Sequence, residues 1–536
     1  MGRQLDAARM QPPIIPGGEL LGKQFLVTTD AQVYSHRNLE HYLSKFNLTW
    51  TLRRLGELGG TMSSTCTVVN DSVAVMEYCI SYLALVAIEV STDRIESIPS
   101  LDDVFGAVRI FQGLKEADIS GERVFEYLIR VGYQQFTQCD LYHSTARTWF
   151  LFEDLWPQVE LAQRIKPSES LRKILNLDLR TLLLFTYMYT TRAKKNGYLC
   201  RVLSDSDPDG YSGHGVGQDE EQAFFSAVST TYDELRTESS RLRALVPRNS
   251  NHPIQYRPNA LEQWPLIRPD VIPAECPSSM VLAPAPYLLI RRGTDGVYRD
   301  LSNAFARAKG ENPFRVAFGH VFQEYVGRLL RACCAEEQVL PEWSYKPVGK
   351  NERATPDWIV ADGNRLVVIE VKQTALAVGA KSTGNSDLVM KDLQKTLAKG
   401  ATQLLRFEGD LADRAPGLER LFAMGVPQME LLLVTYDRVP FANSFLRKEI
   451  TRSGIENAER VHICHIEEFE HLQRLSLGKS LYRLLRRKRL APEHAVLDFR
   501  EWLGHLGAPA PTLHPLLSDV FERLMTDWGI RKTQVG

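Results

Sequence analysis

TPDWIVADGNRLVVIEVKQ, residues 355–373, reads as strand, tight turn, strand. Apolar and β-branched residues fill both halves, and Asp362-Gly363 between them is a hairpin-turn signal. Side chains at i and i+2 of a strand share a face, so Glu370 and Lys372 project together while Ile369 and Val371 point the other way. The hairpin carries Asp357 to the same end on the neighbouring strand. Two carboxylates and an ammonium then converge, which is costly unless something offsets the like charges. A hard divalent cation does this. Mg²⁺ takes oxygen ligands and retains waters, one of which becomes a nucleophile.

The flanking sequence supplies a mixed α/β setting. NPFRVAFGHVFQEYVGRLLRACC (312–334) is amphipathic, with Phe318, Phe322, Tyr325, Leu329 and Leu330 along one side. SDLVMKDLQKTLAKGATQLLRF (386–407) predicts a second helix, MELLLVTYD (429–437) a buried strand, and RVHICHI (460–466) another strand running into the helix EEFEHLQRL. Residues 476–536 predict a basic helical extension. Upstream, residues 1–24 read as a flexible tail and 25–246 as mainly α-helical, interrupted by an acidic loop at 204–222. Prolines crowd 247–300 too densely for helix interiors or central strands, so a connector is expected there, leaving 301–475 as the α/β domain.

Composition narrows the function class. Of 536 residues 44% are apolar and 24% charged, as in a folded chain of several domains. With 64 Lys+Arg against 65 Asp+Glu the formal charge is -1, so any nucleic-acid surface must be a local patch. The eight cysteines form no CxxC pair, which argues against a disulfide framework or a four-cysteine metal site and predicts reduced thiols in a cytoplasm. The N-terminal residues lack the apolar run of a signal peptide. The longest apolar stretch, 72–90, is broken by Glu77 and Glu89 and falls short of the ~20 residues that span a bilayer, so no membrane partner is expected.

The spacing PD-(x)12-EVK, preceded by a helix bearing Glu324, resembles the PD-(D/E)XK nuclease superfamily over about 305–475. The resemblance implies a restriction-endonuclease-like domain with a mixed sheet in the order α-β-β-β-α-β. It implies that Asp357 and Glu370 bind Mg²⁺, with Mn²⁺ as a substitute, that Lys372 positions the attacking water, and that Glu324 joins the metal shell. Gln403 and Phe407 resemble the QxxxY element of one branch, with Phe407 where that element has tyrosine. The implied activity is a Mg²⁺-dependent deoxyribonuclease, an endonuclease of prokaryotic restriction or anti-phage defence. The helical region would then recognise, regulate, or form a homo-oligomer or bind a partner protein. The rival reading keeps the fold without hydrolysis, as a nucleic-acid-binding or scaffold subunit. A gated effector that cuts only on a partner's signal is a third.

Weaker signals lie around this core. Arg483, Arg486, Arg487, Lys488 and Arg489 form a basic block with an apolar leucine stripe, fit either to grip DNA phosphates or to be a solvated helix face. Asp205, Asp207 and Asp209 imitate the start of a Ca²⁺ loop, but Val216 stands at its twelfth position, so a solvated acidic loop is expected. Gly17 to Lys23 imitates a phosphate-binding loop by chance, since Gln24 replaces the Ser or Thr. His462 and Cys464 alternate with His465 on opposite strand faces, so zinc is not expected, and Cys333-Cys334 read as packing residues.

Overall fold

The structure, a computed structural model, describes residues 33–60, 67–70, 73–75, 77–114, 132–133, 140–162, 164–200, 214–244, 258–272, 274, 279–307, 310–373, 391–392, 394–452, 454–477, 480–508 and 512–530. Asn312 caps helix α1 (Pro313–Arg331), its side chain accepting from the Phe314 and Arg315 N–H groups, and Pro313 occupies the first turn, where no donor is needed. Phe314, Phe318, Phe322, Tyr325 and Leu329 recur every three or four residues and are buried. They pack on one face of a five-stranded sheet.

That sheet contains β1 (Val339–Pro341), β2 (Trp358–Asp362), β3 (Arg365–Lys372), β4 (Gln428–Thr435) and β5 (Val461–His465), in spatial order β5-β4-β3-β2-β1. The first three strands are antiparallel, with Trp358 opposite Ile369 and Asp362 opposite Arg365. Gly363, at φ 63°, makes the tight turn that Asp362-Gly363 predicts. β3 and β4 are parallel, from Arg365 beside Gln428 to Lys372 beside Thr435, and β5 continues parallel to β4. Pro341 is on the edge strand, where its missing N–H costs nothing.

Both sheet faces are covered, which explains the near-continuous apolar run of β3. Val367, Ile369 and Val371 join the α1 side, whereas Leu366 and Val368 pack with helix α2 (Lys399–Ala412) on the other. Residues 386–390 of the helix expected over 386–407 lie outside the described residues, 391–392 are helical, and α2 ends later than expected. A π-helical turn over Gln394–Ala398 precedes it, and Arg414 at φ 52° followed by Pro416 terminates it. After β5 come α3 (Ile466–Ser476) and α4 (Leu481–Leu490), both packed on the sheet.

The upstream region is helical as expected, including Glu77–Val90, whose residues from Tyr78 to Ile88 are all buried. Among the described residues no helix is long and apolar enough to cross a membrane. The proline-rich stretch is not a connector throughout. Leu266–Arg268 and Met280–Leu282 join Tyr198–Cys200 and Ser229–Thr231 in a four-stranded sheet, and Pro286 and Asp295 open helices. The described prolines there, Pro258, Pro265, Pro269, Pro284 and Pro286, fall between short elements or in a first turn, so they do not exclude regular structure. One apolar core runs from Phe150, Leu183 and Phe224 into Phe318, Val367 and Trp502, joining upstream helices to the sheet.

Candidate active site

Continuing the β2–β3 register one step past Trp358 and Ile369 puts Asp357 opposite Glu370, on the sheet face covered by α2. The backbone ladder has ended there, and the Asp357 Oδ2 accepts the Val371 N–H at 2.6 Å. Burial first, and the Glu370 charge second, push the Asp357 carboxyl up to about 8. Glu370 is 3% exposed, and burial raises its pKa while the Lys372 ammonium pulls the other way. Lys372 Nζ donates to Glu370 Oε1. The hairpin reading is therefore matched in space: Asp357, Glu370 and Lys372 sit together at one end of the sheet.

Helix α2 closes over this end. A Cβ on Gly400 would stand 3.5 Å from the Lys372 Cε and 2.7 Å from Leu433, so glycine is what lets the helix lie this close. Gln403 is one turn further on the same helix, its Oε1 buried and without a hydrogen-bond partner among the described residues. Arg406 is one turn beyond again, exposed, and its charge acts on Glu370.

Glu324 is placed differently. Its carboxylate accepts from Arg328 Nε at 2.7 Å and from Arg331 Nη1 at 3.2 Å, on the α1 side of the sheet, whereas Glu370 and Lys372 face α2. Asp357 and Glu324 nevertheless line one cleft of about 380 Å³. Among the described residues no three His, Cys, Asp or Glu side chains converge closely enough to hold an ion. Glu324 thus does not complete a set with Asp357 and Glu370 in this arrangement.

Sequence reading missed other cleft residues, namely His320, Gln323, Glu342 and the wall Gln158-Val159-Glu160. His320 was legible, lying one turn before Glu324 on α1. The wall was not, because it comes from a segment more than 150 positions upstream, tied in by Arg328 Nη2 donating to Gln158 Oε1 at 3.3 Å.

The C-terminal basic block does not reach this site. Arg486 Nη1 donates at 2.9 Å to Gln428 Oε1, at the end of β4 opposite Thr435, and seven strand residues at ~3.3 Å each put that end roughly 23 Å from Lys372. Lys488 is 0% exposed, over the Phe499 ring at 5.0 Å with its Nζ donating to the Ala495 carbonyl, and burial lowers its pKa to about 7. Arg489 holds the buried Glu430 with two bonds of 2.8 Å. These two residues are structural, correcting their reading as phosphate contacts; Arg483 and Arg487 are exposed.

His462 and His465 do not share a site: His462 faces Glu430 at 3.6 Å, whereas the His465 Nε2 bonds to the Tyr436 carbonyl oxygen at 2.8 Å. Cys333 Sγ is 3.1 Å from His514 Nε2. The Asp205 to Asp209 loop and the Gly17 to Lys23 segment lie outside the described residues. Comparison of the chain with protein-family models, with curated proteins and with solved structures finds no match.

Proposed function

We propose that the chain is a metal-dependent nuclease that hydrolyses DNA phosphodiester bonds on a restriction-endonuclease-like domain. One observation carries the reading: Asp357 and Glu370 occupy facing positions on adjacent strands, with the Lys372 ammonium on Glu370. The order helix, three antiparallel strands, helix, parallel strand around the sheet is consistent with that domain.

The residues fit a hard divalent cation. The buried Glu370 and the partly buried Asp357, both with raised pKa values, share one lysine, so the pair retains a demand for positive charge. All the donors are oxygen, the preference of Mg²⁺ and Mn²⁺, and Mg²⁺ commonly takes only one or two carboxylates beside waters and phosphate. Asp357 and Glu370 would hold it. When bound, the ion lends charge to a phosphate oxygen and acidifies a coordinated water.

The chain's own groups prepare this chemistry. The Val371 N–H fixes the Asp357 carboxylate in place. Lys372 Nζ, on a side chain largely shielded under α2, orients the attacking water and stabilises the developing charge. Gln403 contributes an uncommitted amide oxygen on the covering helix. The test is twofold: supercoiled plasmid, linear duplex and single-stranded DNA should be cut with Mg²⁺ or Mn²⁺ and left intact with EDTA. Calorimetric titration of either ion should show binding that Asp357→Ala and Glu370→Ala each abolish. RNA cut in preference to DNA would overturn the substrate assignment.

A further inference from the structure

We propose that the short ribbon Ser344–Tyr345/Arg353–Ala354, together with Arg406, Arg414 and Arg420 beside it, is the surface that engages duplex DNA. The inference rests on the nuclease reading and names the part of the protein that holds its substrate. Its first support is position. The ribbon runs through Thr355 and Pro356 directly into Asp357, and its base is pinned where the Thr355 N–H donates to the Trp343 carbonyl at 2.9 Å.

Its second support is rigidity. Asp410, buried at 3% exposure on α2, accepts from the Tyr345 hydroxyl at 2.8 Å, from Lys350 Nζ at 3.2 Å and from Arg353 Nη1 at 2.5 Å. The Lys346 N–H reaches the Pro416 carbonyl at 3.4 Å, and Trp343 Nε1 donates to the Gly417 carbonyl at 3.0 Å. These anchors hold the ribbon in one conformation, and an element so pre-organised loses little freedom on binding.

The third support is what the ribbon presents. Val348 at its tip is 83% exposed, between the exposed residues Lys346 and Lys350, of which Lys350 spends its ammonium on Asp410. Lys346, Arg406 and Arg414 have no ion pair among the described residues, and Arg420 is stacked at 3.4 Å over the Trp343 ring. Of the neighbouring acids, Asp410 is buried beneath the ribbon, Glu408 pairs with Arg460 and Glu419 accepts the Gly417 N–H, while Glu352 and Asp413 are exposed among the cations. From Gly400, beside Lys372, to Arg414 the chain follows α2 for roughly 20 Å, about half a turn of duplex. Cations along such a path suit phosphates, and a two-stranded ribbon fits the major groove, about 12 Å wide.

The experiment measures binding of a fluorescein-labelled duplex of about three helical turns in EDTA, by anisotropy over a salt series, with the full chain. Lys346→Glu/Arg414→Glu should weaken binding about tenfold or more and lower the salt slope by about two, while Arg483→Glu/Arg487→Glu stays within twofold. Both pairs are exposed, and thermal unfolding of each variant verifies the fold; Lys346→Arg/Arg414→Lys should restore affinity. Plasmid cutting with Mg²⁺ by the same preparations separates the two claims. Wild type that cuts, with a ribbon variant that binds as well as wild type, overturns the surface and leaves the nuclease reading standing. Wild type that neither binds nor cuts overturns both. Loss of binding confined to the Arg483/Arg487 variant overturns the surface in favour of the C-terminal helix.

Discussion

The Asp357 carboxylate accepts the Val371 N–H at 2.6 Å, beyond the last backbone pair of their two strands. The side chain takes the place of the missing strand partner, and this bond holds a carboxylate against its like-charged neighbour. The cost, from burial first and from that neighbour second, shows in the Asp357 carboxyl, raised to about 8 from an ordinary value of 3.8.

This cost predicts a pH dependence. Between about 4 and about 8 the folded chain binds more protons at Asp357 than the unfolded chain does, so this group's contribution to stability falls as pH rises through that window. Asp357→Asn keeps an acceptor for Val371 and removes the charge. Its melting temperature should exceed that of wild type at pH 8 and approach it at pH 4, and Mg²⁺ should raise the wild-type value alone. A difference that is constant across pH would contradict the argument.

The basic C-terminal helix predicts a separation of roles. Arg489→Ala leaves Glu430 buried without its guanidinium and should cost about 3–5 kcal/mol in urea unfolding. Arg487→Ala, at an exposed position of the same helix, should stay within about 0.5 kcal/mol. Equal effects of the two would mean that the Glu430 pair holds nothing together.

A second buried pair joins the upstream helices to the sheet. Arg147, on the helix Leu141–Trp149, donates from Nε at 2.7 Å and Nη2 at 2.9 Å to the two oxygens of Glu470 on α3, and the Tyr325 hydroxyl of α1 donates to the same carboxylate at 2.7 Å. Removing one partner of a buried, bidentate pair strands the other charge. Arg147→Ala should therefore cost about 3–5 kcal/mol, and Arg147→Lys should recover only part of it because an ammonium cannot make the two-pronged bond. Chemical denaturation of both variants checks the order.

What the sequence made legible follows from short-range periodicity. Alternation along β3 and the Asp362-Gly363 turn were enough to place Asp357, Glu370 and Lys372 at one sheet end, because a hairpin of known turn fixes its own register. Lys488 was misread by counting charges, yet its burial had a signal: Leu481, Leu485 and Lys488 stand at i, i+4 and i+7, on one covered helix face. Glu430, the one carboxylate within the apolar run of β4, likewise called for a cationic partner. The Gln158 to Glu160 wall and the Asp410 anchor left no such trace, since each depends on contacts between segments that local pattern does not connect.

In the proposed nuclease, Lys372 serves hydrolysis at a metal that Asp357 and Glu370 would hold. The most direct measurement is a time course on supercoiled plasmid with Mg²⁺, Mn²⁺ or EDTA, wild type beside Lys372→Ala. Ion-dependent cutting by wild type, reduced about a hundredfold or more in Lys372→Ala while calorimetry still finds the ion bound, is the predicted result. Cutting that persists in Lys372→Ala at the wild-type rate would contradict the account.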